Sequence, residues 1–107
     1  MKPLNGIKVI DLTHMLAGPY AGMVIADLGA EVVKIEPLVT GEMTRGLLKT
    51  DPNYSYKGFG AYFLTLNRNK KSVSLDLKSK EGLQVFYELV KSADVVLNNF
   101  SAGVVKK

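Results

Sequence analysis

The sequence predicts an α/β domain built on a parallel sheet. Three observations point there. Short β-branched, largely apolar runs occur at Ile7–Leu12, Glu31–Glu36 and Asp94–Leu97. A helical stripe of apolar residues separates the first two runs, and a second stripe follows Ser79. A continuous apolar run suits a strand buried on both faces, and strand, helix and strand within about 30 residues make a βαβ unit.

Ile7-Lys8-Val9-Ile10-Asp11-Leu12 reads as the first strand. Ala21, Val24, Ile25 and Leu28 then follow helical spacing, with Pro19 in the opening turn and Gly29 where a C-terminal cap falls. Glu31 to Glu36 is the second strand. Residues 37–60 dissolve into Gly, Pro, Thr, Asn and Tyr, too long for an ordinary βα connection and therefore a functional loop, expected to be mobile unless covered. Ala61 to Leu66 is apolar and too short to separate helix from strand. Ser72 to Lys78 alternates, with Val73, Leu75 and Leu77 on one side, and reads as a strand with one wet face near a sheet edge. Ser79 is a fitting N-cap for a helix carrying Leu83, Phe86, Tyr87 and Val90. The last strand leads into Asn98-Asn99-Phe100, and no closing helix follows, so one sheet face is expected to be uncovered.

With 107 residues, one domain is expected. A net charge of +4 permits an anionic ligand without requiring nucleic acid, and one loop holding Tyr54, Tyr56 and Phe59 is thin support for base stacking. The densest basic cluster, Arg68, Lys70 and Lys71, leads into a strand, where it is either a solvated face or a phosphate contact. No cysteine is present, the start lacks a secretory apolar core, and no apolar run approaches the roughly 20 residues that span a bilayer. A soluble cytoplasmic protein without a membrane partner is the expectation.

One histidine, His14, and no cysteine leave no zinc-type ligand set, so no metal is expected. His14 follows the first strand and reads more readily as incidental than as a ligand contact. No serine has a histidine base positioned by sequence, and Asp11 reads as a hydrogen-bonded structural carboxylate. Glu36 stands where a dinucleotide fold keeps its ribose-binding acid, yet the first turn, Thr13 to Gly22, lacks G-x-G-x-x-G and carries Pro19. The residues by themselves reach an anion-binding α/β domain.

Four stretches in order extend that reading: LNGIKVIDLTHMLAGPYAGMVIADLGAEVVKIE, TGEMTRG, YFLTLNRNKKSVSLDLKSKEG and ADVVLNNFSAGVV. Together they resemble the N-terminal part of the family III CoA-transferases, the group of formyl-CoA transferase, crotonobetainyl-CoA transferase, benzylsuccinate CoA-transferase and 2-methylacyl-CoA racemase. The resemblance implies an incomplete Rossmann-like parallel sheet, the first part of a large CoA-binding domain, with residues 1–107 forming a truncated N-terminal segment and 37–60 a long loop within it. It implies CoA transfer between an acyl-CoA and a carboxylic acid, with coenzyme A as substrate and no covalently bound cofactor. The alternatives are a non-catalytic CoA-binding or interaction fragment and a racemase-type segment.

Family members are several times longer and form interlocked homodimers, and their nucleophilic aspartate, which forms acyl anhydrides, falls beyond position 107. No catalytic residue is therefore expected here, and a complementing C-terminal chain is a possible partner. By the same resemblance Leu16 and Ala17 lie beside the thioester, and Leu75, Asp76, Leu77, Lys78, Asn99 and Phe100 meet the adenosine and phosphates, with Lys107 a further basic contact. Many formyl-CoA transferase relatives carry glutamine at the position of Leu16, which argues against a formyl or oxalyl substrate. Pro37 replaces an arginine that some relatives use on a phosphate. Arg45 and Arg68 match recurring arginines without an assigned role.

Overall fold

The computed structural model describes residues 1–101. Its strands and helices are β1 (Lys8–Asp11), α1 (Ala17–Asp27), β2 (Glu31–Glu36), β3 (Ser55–Tyr56), β4 (Phe59–Gly60), α2 (Ala61–Leu66), β5 (Lys70–Ser74), α3 (Lys80–Lys91) and β6 (Val95–Leu97). Four strands form one parallel sheet in the order β5-β2-β1-β6. Chain order therefore runs outward from β1 to β2 and β5, then returns across to β6. The reversal between β1 and β6 is the kind of switch point at whose carboxyl ends open α/β sheets bind ligands.

The apolar runs form the two central strands because each face is covered by a different helix. Val9 and Val32 pack with Ala26 and Ala30 on the α1 side. Ile10, Leu12, Val33 and Ile35 pack on the other side with Phe86 and Leu89 of α3. Pro19 falls in the first turn of α1, where a missing N–H breaks no helical hydrogen bond. Gly29 ends that helix at φ +107°, a conformation L side chains avoid. Ser79 caps α3 by accepting from the Gly82 N–H at 2.9 Å.

The α1 side also holds a buried charge layer. Lys70 Nζ lies 2.8 Å from Asp11 Oδ2, with both side chains almost fully buried, and also donates to the Pro19 carbonyl and Asn67 Oδ1 at 2.9 Å. Asp11 accepts from the backbone and hydroxyl of Thr13, which makes it the structural carboxylate its position suggested. Gly22 lets α1 pass over this pair: an added Cβ would lie 2.8 Å from Asp11 Oδ2.

One element differs from the sequence reading, and two segments whose form it left open are now defined. The strand expected over Ser72 to Lys78 runs from Lys70 to Ser74. After Leu75 donates to the Glu36 carbonyl, Asp76 turns the chain, its carboxylate accepting from the Lys78 N–H at 3.0 Å and its carbonyl accepting from the Ser79 N–H at 3.2 Å. Its polar side is not simply wet, since Lys70 is buried and Ser72 donates to Glu36. As expected, this strand lies at the sheet edge. Ala61–Leu66 is helical, and the 37–60 segment contains a 3-10 turn at Met43–Arg45 and a hairpin of β3 and β4.

The basic cluster is consumed internally. Arg68 forks onto Asp27 at 2.6 to 3.1 Å, Lys70 is the buried partner of Asp11, and Lys71 lies 3.4 Å from Glu31. All three precede or open β5, away from its carboxyl end. Replacing Lys70 by Met strands a buried carboxylate, and urea unfolding should register a loss of about 3–5 kcal/mol. Arg68→Ala, on an exposed pair, should leave the midpoint nearly unchanged. Equal losses for the two variants would contradict this assignment.

Candidate functional site

A cavity of about 400 Å³ opens at the carboxyl ends of the parallel strands. Every strand of the sheet feeds it: Leu12 and His14 follow β1, Ile35 to Leu38 end and follow β2, Leu75 to Lys78 follow β5, and Phe100 follows β6. Its walls are mostly apolar, with His14, Glu36, Asp76 and Lys78 as the polar groups, a size and composition usual for a small-ligand site. The His14 ring lies 6.2 Å from Phe100, centroid to centroid. A second hollow of about 680 Å³ lies beyond His14 and Pro37, which line both, and is bounded by Val39, Thr40, Gly41, Glu42, Met43, Gly46 and Lys49.

The loop between β1 and α1 is held residue by residue. Thr13 is fully buried, bonded to Asp11 and accepting at its carbonyl from the buried Lys34 Nζ at 2.9 Å. The backbone of His14 is clamped by Asn99, whose amide accepts from the His14 N–H at 3.0 Å and donates to its carbonyl at 2.8 Å. Met15 donates its N–H to Glu42 Oε1 at 2.7 Å.

Glu36 lines the first cavity and holds the Glu42 N–H beside the second. Its Oε1 accepts from Arg45 Nη2 at 2.7 Å and the Ser72 hydroxyl at 2.6 Å, and its Oε2 accepts from Arg45 Nε at 2.6 Å and the Glu42 N–H at 2.7 Å. Burial pushes the Glu36 carboxyl up, but the hydrogen bonds from Arg45, Ser72 and Glu42 overcome it and lower its pKa to about 2. The Arg45 guanidinium also lies 3.9 Å from the centre of the Phe63 ring, in a cation–π contact. With four donors on two oxygens, Glu36 has no capacity left for a ribose.

Of the residues singled out from the sequence, the fold brings Leu75, Asp76, Leu77, Lys78 and Phe100 into one cavity. Asn99 stands behind it as the clamp on His14. Leu16 and Ala17 flank the start of α1 and do not line the cavity; Leu16 is exposed. Lys107 lies outside the described residues. Leu12, Ile35, Leu38 and the carboxylate of Glu42 were missed, because core-like apolar residues and a loop acid carry no sequence signal of their own. His14, read as incidental, is part of the wall. Arg45 gains a role as the cation that ties the long loop to β2. Among the described residues no group of acids and histidines could hold a metal ion, and no helix is long and apolar enough to cross a membrane.

Comparison with known proteins follows the same lines. Residues 4–107 match the family model described as CoA-transferase family III. A formyl-CoA:oxalate CoA-transferase of Afipia carboxidovorans is 42% identical over 106 residues, covering 99% of this chain and 24% of that protein. A succinyl-CoA:mesaconate CoA-transferase of Haloarcula hispanica is 41% identical over 111 residues, covering 100% of this chain and 27% of that protein. Among solved structures, a CAIB/BAIF family protein from Brucella suis superimposes with a TM-score of 0.87 at 39% identity, covering 98% of this chain and 28% of that one. A Mycobacterium tuberculosis protein gives a TM-score of 0.85 at 42% identity, covering 99% and 28%. The chain thus spans about a quarter of the length of these relatives.

The Glu36 network sets a pH dependence. A carboxyl whose folded pKa lies near 2, below its ordinary 4.5, contributes stability that is complete above about 4.5 and is lost as pH falls toward about 2. Arg45→Ala should flatten the acid side of the stability curve between about pH 5 and about pH 3, read by denaturant unfolding at each pH. Parallel curves for wild type and variant would show that Arg45 does not hold Glu36 ionised.

Proposed function

The chain belongs to CoA-transferase family III, and on that premise we propose that it forms the nucleotide-binding side of a CoA site in an enzyme moving CoA between an acyl-CoA and a carboxylic acid. The observation that carries this reading is the cavity shared by Leu75 to Lys78 and Phe100 at the strand ends. Apolar walls from Leu12, Ile35, Leu75, Leu77 and Phe100 suit a purine base. Lys78 supplies a mobile cation for a phosphate, a charge-assisted contact of about 1.5–3 kcal/mol. The adjoining hollow past His14 and Pro37 gives a long two-ended ligand such as an acyl-CoA a second place to lie, and the family resemblance assigns Leu16 and Ala17, at the start of α1, to its thioester end.

In this reading the carboxylate nucleophile comes from sequence that these 107 residues do not contain. Asp11 is locked by Thr13 and Lys70, Glu36 by Arg45, Ser72 and the Glu42 N–H, and Glu42 by Met15 and Thr44, so none of the three buried acids is available to attack a thioester. Turnover then needs the rest of the enzyme, whether in one polypeptide assembled as a homodimer or in a complementing chain. The acyl group is left open, since the named relatives act on formyl-CoA with oxalate and on succinyl-CoA with mesaconate.

Titration calorimetry of the 107-residue chain with CoA should show saturable binding. Leu77→Asp, which puts a carboxylate in the base-binding wall, should weaken it at least tenfold, or by about 1.4 kcal/mol. Absence of binding at millimolar CoA by a folded chain overturns the reading. The same preparation should show no acyl-CoA transfer, and sustained turnover would place a nucleophile within these residues.

A further inference from the structure

Met15 is one of five non-glycine residues with positive φ among the described residues, at +70°, and it stands between His14 of the cavity wall and Leu16-Ala17 at the start of α1. An unbranched side chain there carries a real backbone cost, so something must hold the turn. The holder is Glu42, from the opposite loop. Its side chain is 1% exposed, and its two oxygens serve two loops: Oε1 accepts from the Met15 N–H, and Oε2 caps the 3-10 turn by accepting from the Thr44 N–H at 2.8 Å and from the Thr44 hydroxyl.

A carboxylate is required for this arrangement. An amide offers one accepting oxygen, whereas Glu42 faces backbone donors on both sides, and one NH₂ would meet an N–H. The cap alone needs only one oxygen. The other is committed across the site, and the Glu42 N–H is itself held by Glu36.

We propose that Glu42 is a positioning residue of the CoA site, fixing the left-handed turn at Met15 and so the course of the loop that delivers Leu16 and Ala17. The proposal rests on the CoA reading above for its functional consequence, while the turn itself can be observed without ligand.

Three variants of the 107-residue chain test it. Glu42→Gln should speed amide exchange at Met15 at least tenfold and weaken CoA binding about tenfold. Thr44→Val removes only a hydroxyl donor of the cap and should leave both within about twofold. Glu42→Gln combined with Met15→Gly should recover most of the CoA affinity, because glycine adopts positive φ without help. Thermal unfolding of each variant establishes that it is folded. Equal weakening of CoA binding by Thr44→Val and Glu42→Gln, or failure of Met15→Gly to restore binding, overturns the positioning role in favour of a structural one. If the wild type binds no CoA, the functional reading fails by itself, and Met15 exchange still decides the hydrogen bond: unchanged exchange in Glu42→Gln overturns the inference.

Discussion

The Glu36 carboxylate is the interaction on which the rest of the site depends. It ends β2, one of the two central strands, and its four donors come from the long loop and from β5. A buried charge is tolerated only when desolvation is matched by well-aligned donors, and the Arg45 fork with two further hydrogen bonds meets that condition. Through Arg45 the contact extends to Phe63 of α2, and through Glu42, whose carboxylate accepts from the Met15 N–H, to the loop between β1 and α1. A segment with little regular structure is thereby anchored to the stiffest part of the sheet. Gly41 is part of this arrangement: at φ +70° an added Cβ would sit 2.5 Å from Arg45 Cδ and 2.8 Å from Glu36 Oε2.

The two faces of the sheet divide the work. Toward α3, Ile10, Leu12, Val33, Ile35 and Val73 form an apolar layer that continues through Leu75 and Leu77 into the cavity wall. Toward α1, Asp11, Lys34, Glu36 and Lys70 form a charged layer whose hydrogen bonds run to loops as well as to strands. Hydrophobic burial is non-directional, so the first layer supplies cohesion. The directional bonds of the second determine where the loops at the strand ends lie.

Much of the fold was legible from residue periodicity. The buried runs of β1 and β2 and the Ser79-capped α3 stand out because burial on two faces, or on one helical stripe, constrains composition. The end of β5 did not, because Leu75 and Leu77 continue the alternation of Val73 after hydrogen bonding has passed to the Asp76 turn. Pattern records which side is apolar, and here the apolar side runs on as a cavity wall. Resemblance singled out Leu75 to Lys78 and Phe100, which the fold gathers into one cavity. Glu42 was hidden, and Asn99, named as a CoA contact, gave no sign of its clamp on His14, because the two side chains act on partners 27 and 85 residues away. The basic cluster misled for the same reason: its counter-charges Asp11 and Asp27 are invisible until the chain folds.

The strand order has a consequence in time. β1 pairs with β2 across a short helix, but its other neighbour is β6, with Val9 opposite Val95 and the Lys8 N–H on the Asp94 carboxylate, 86 residues away. The central strand therefore keeps one edge open until almost the whole described chain has been made. Pairings of such long separation close slowly, and an unpaired apolar edge is exposed to foreign strands in the interval. During synthesis a strand buried at the centre of the sheet is the one that waits longest for its partner, which makes the arrival of Asp94 to Leu97 the step that commits the sheet.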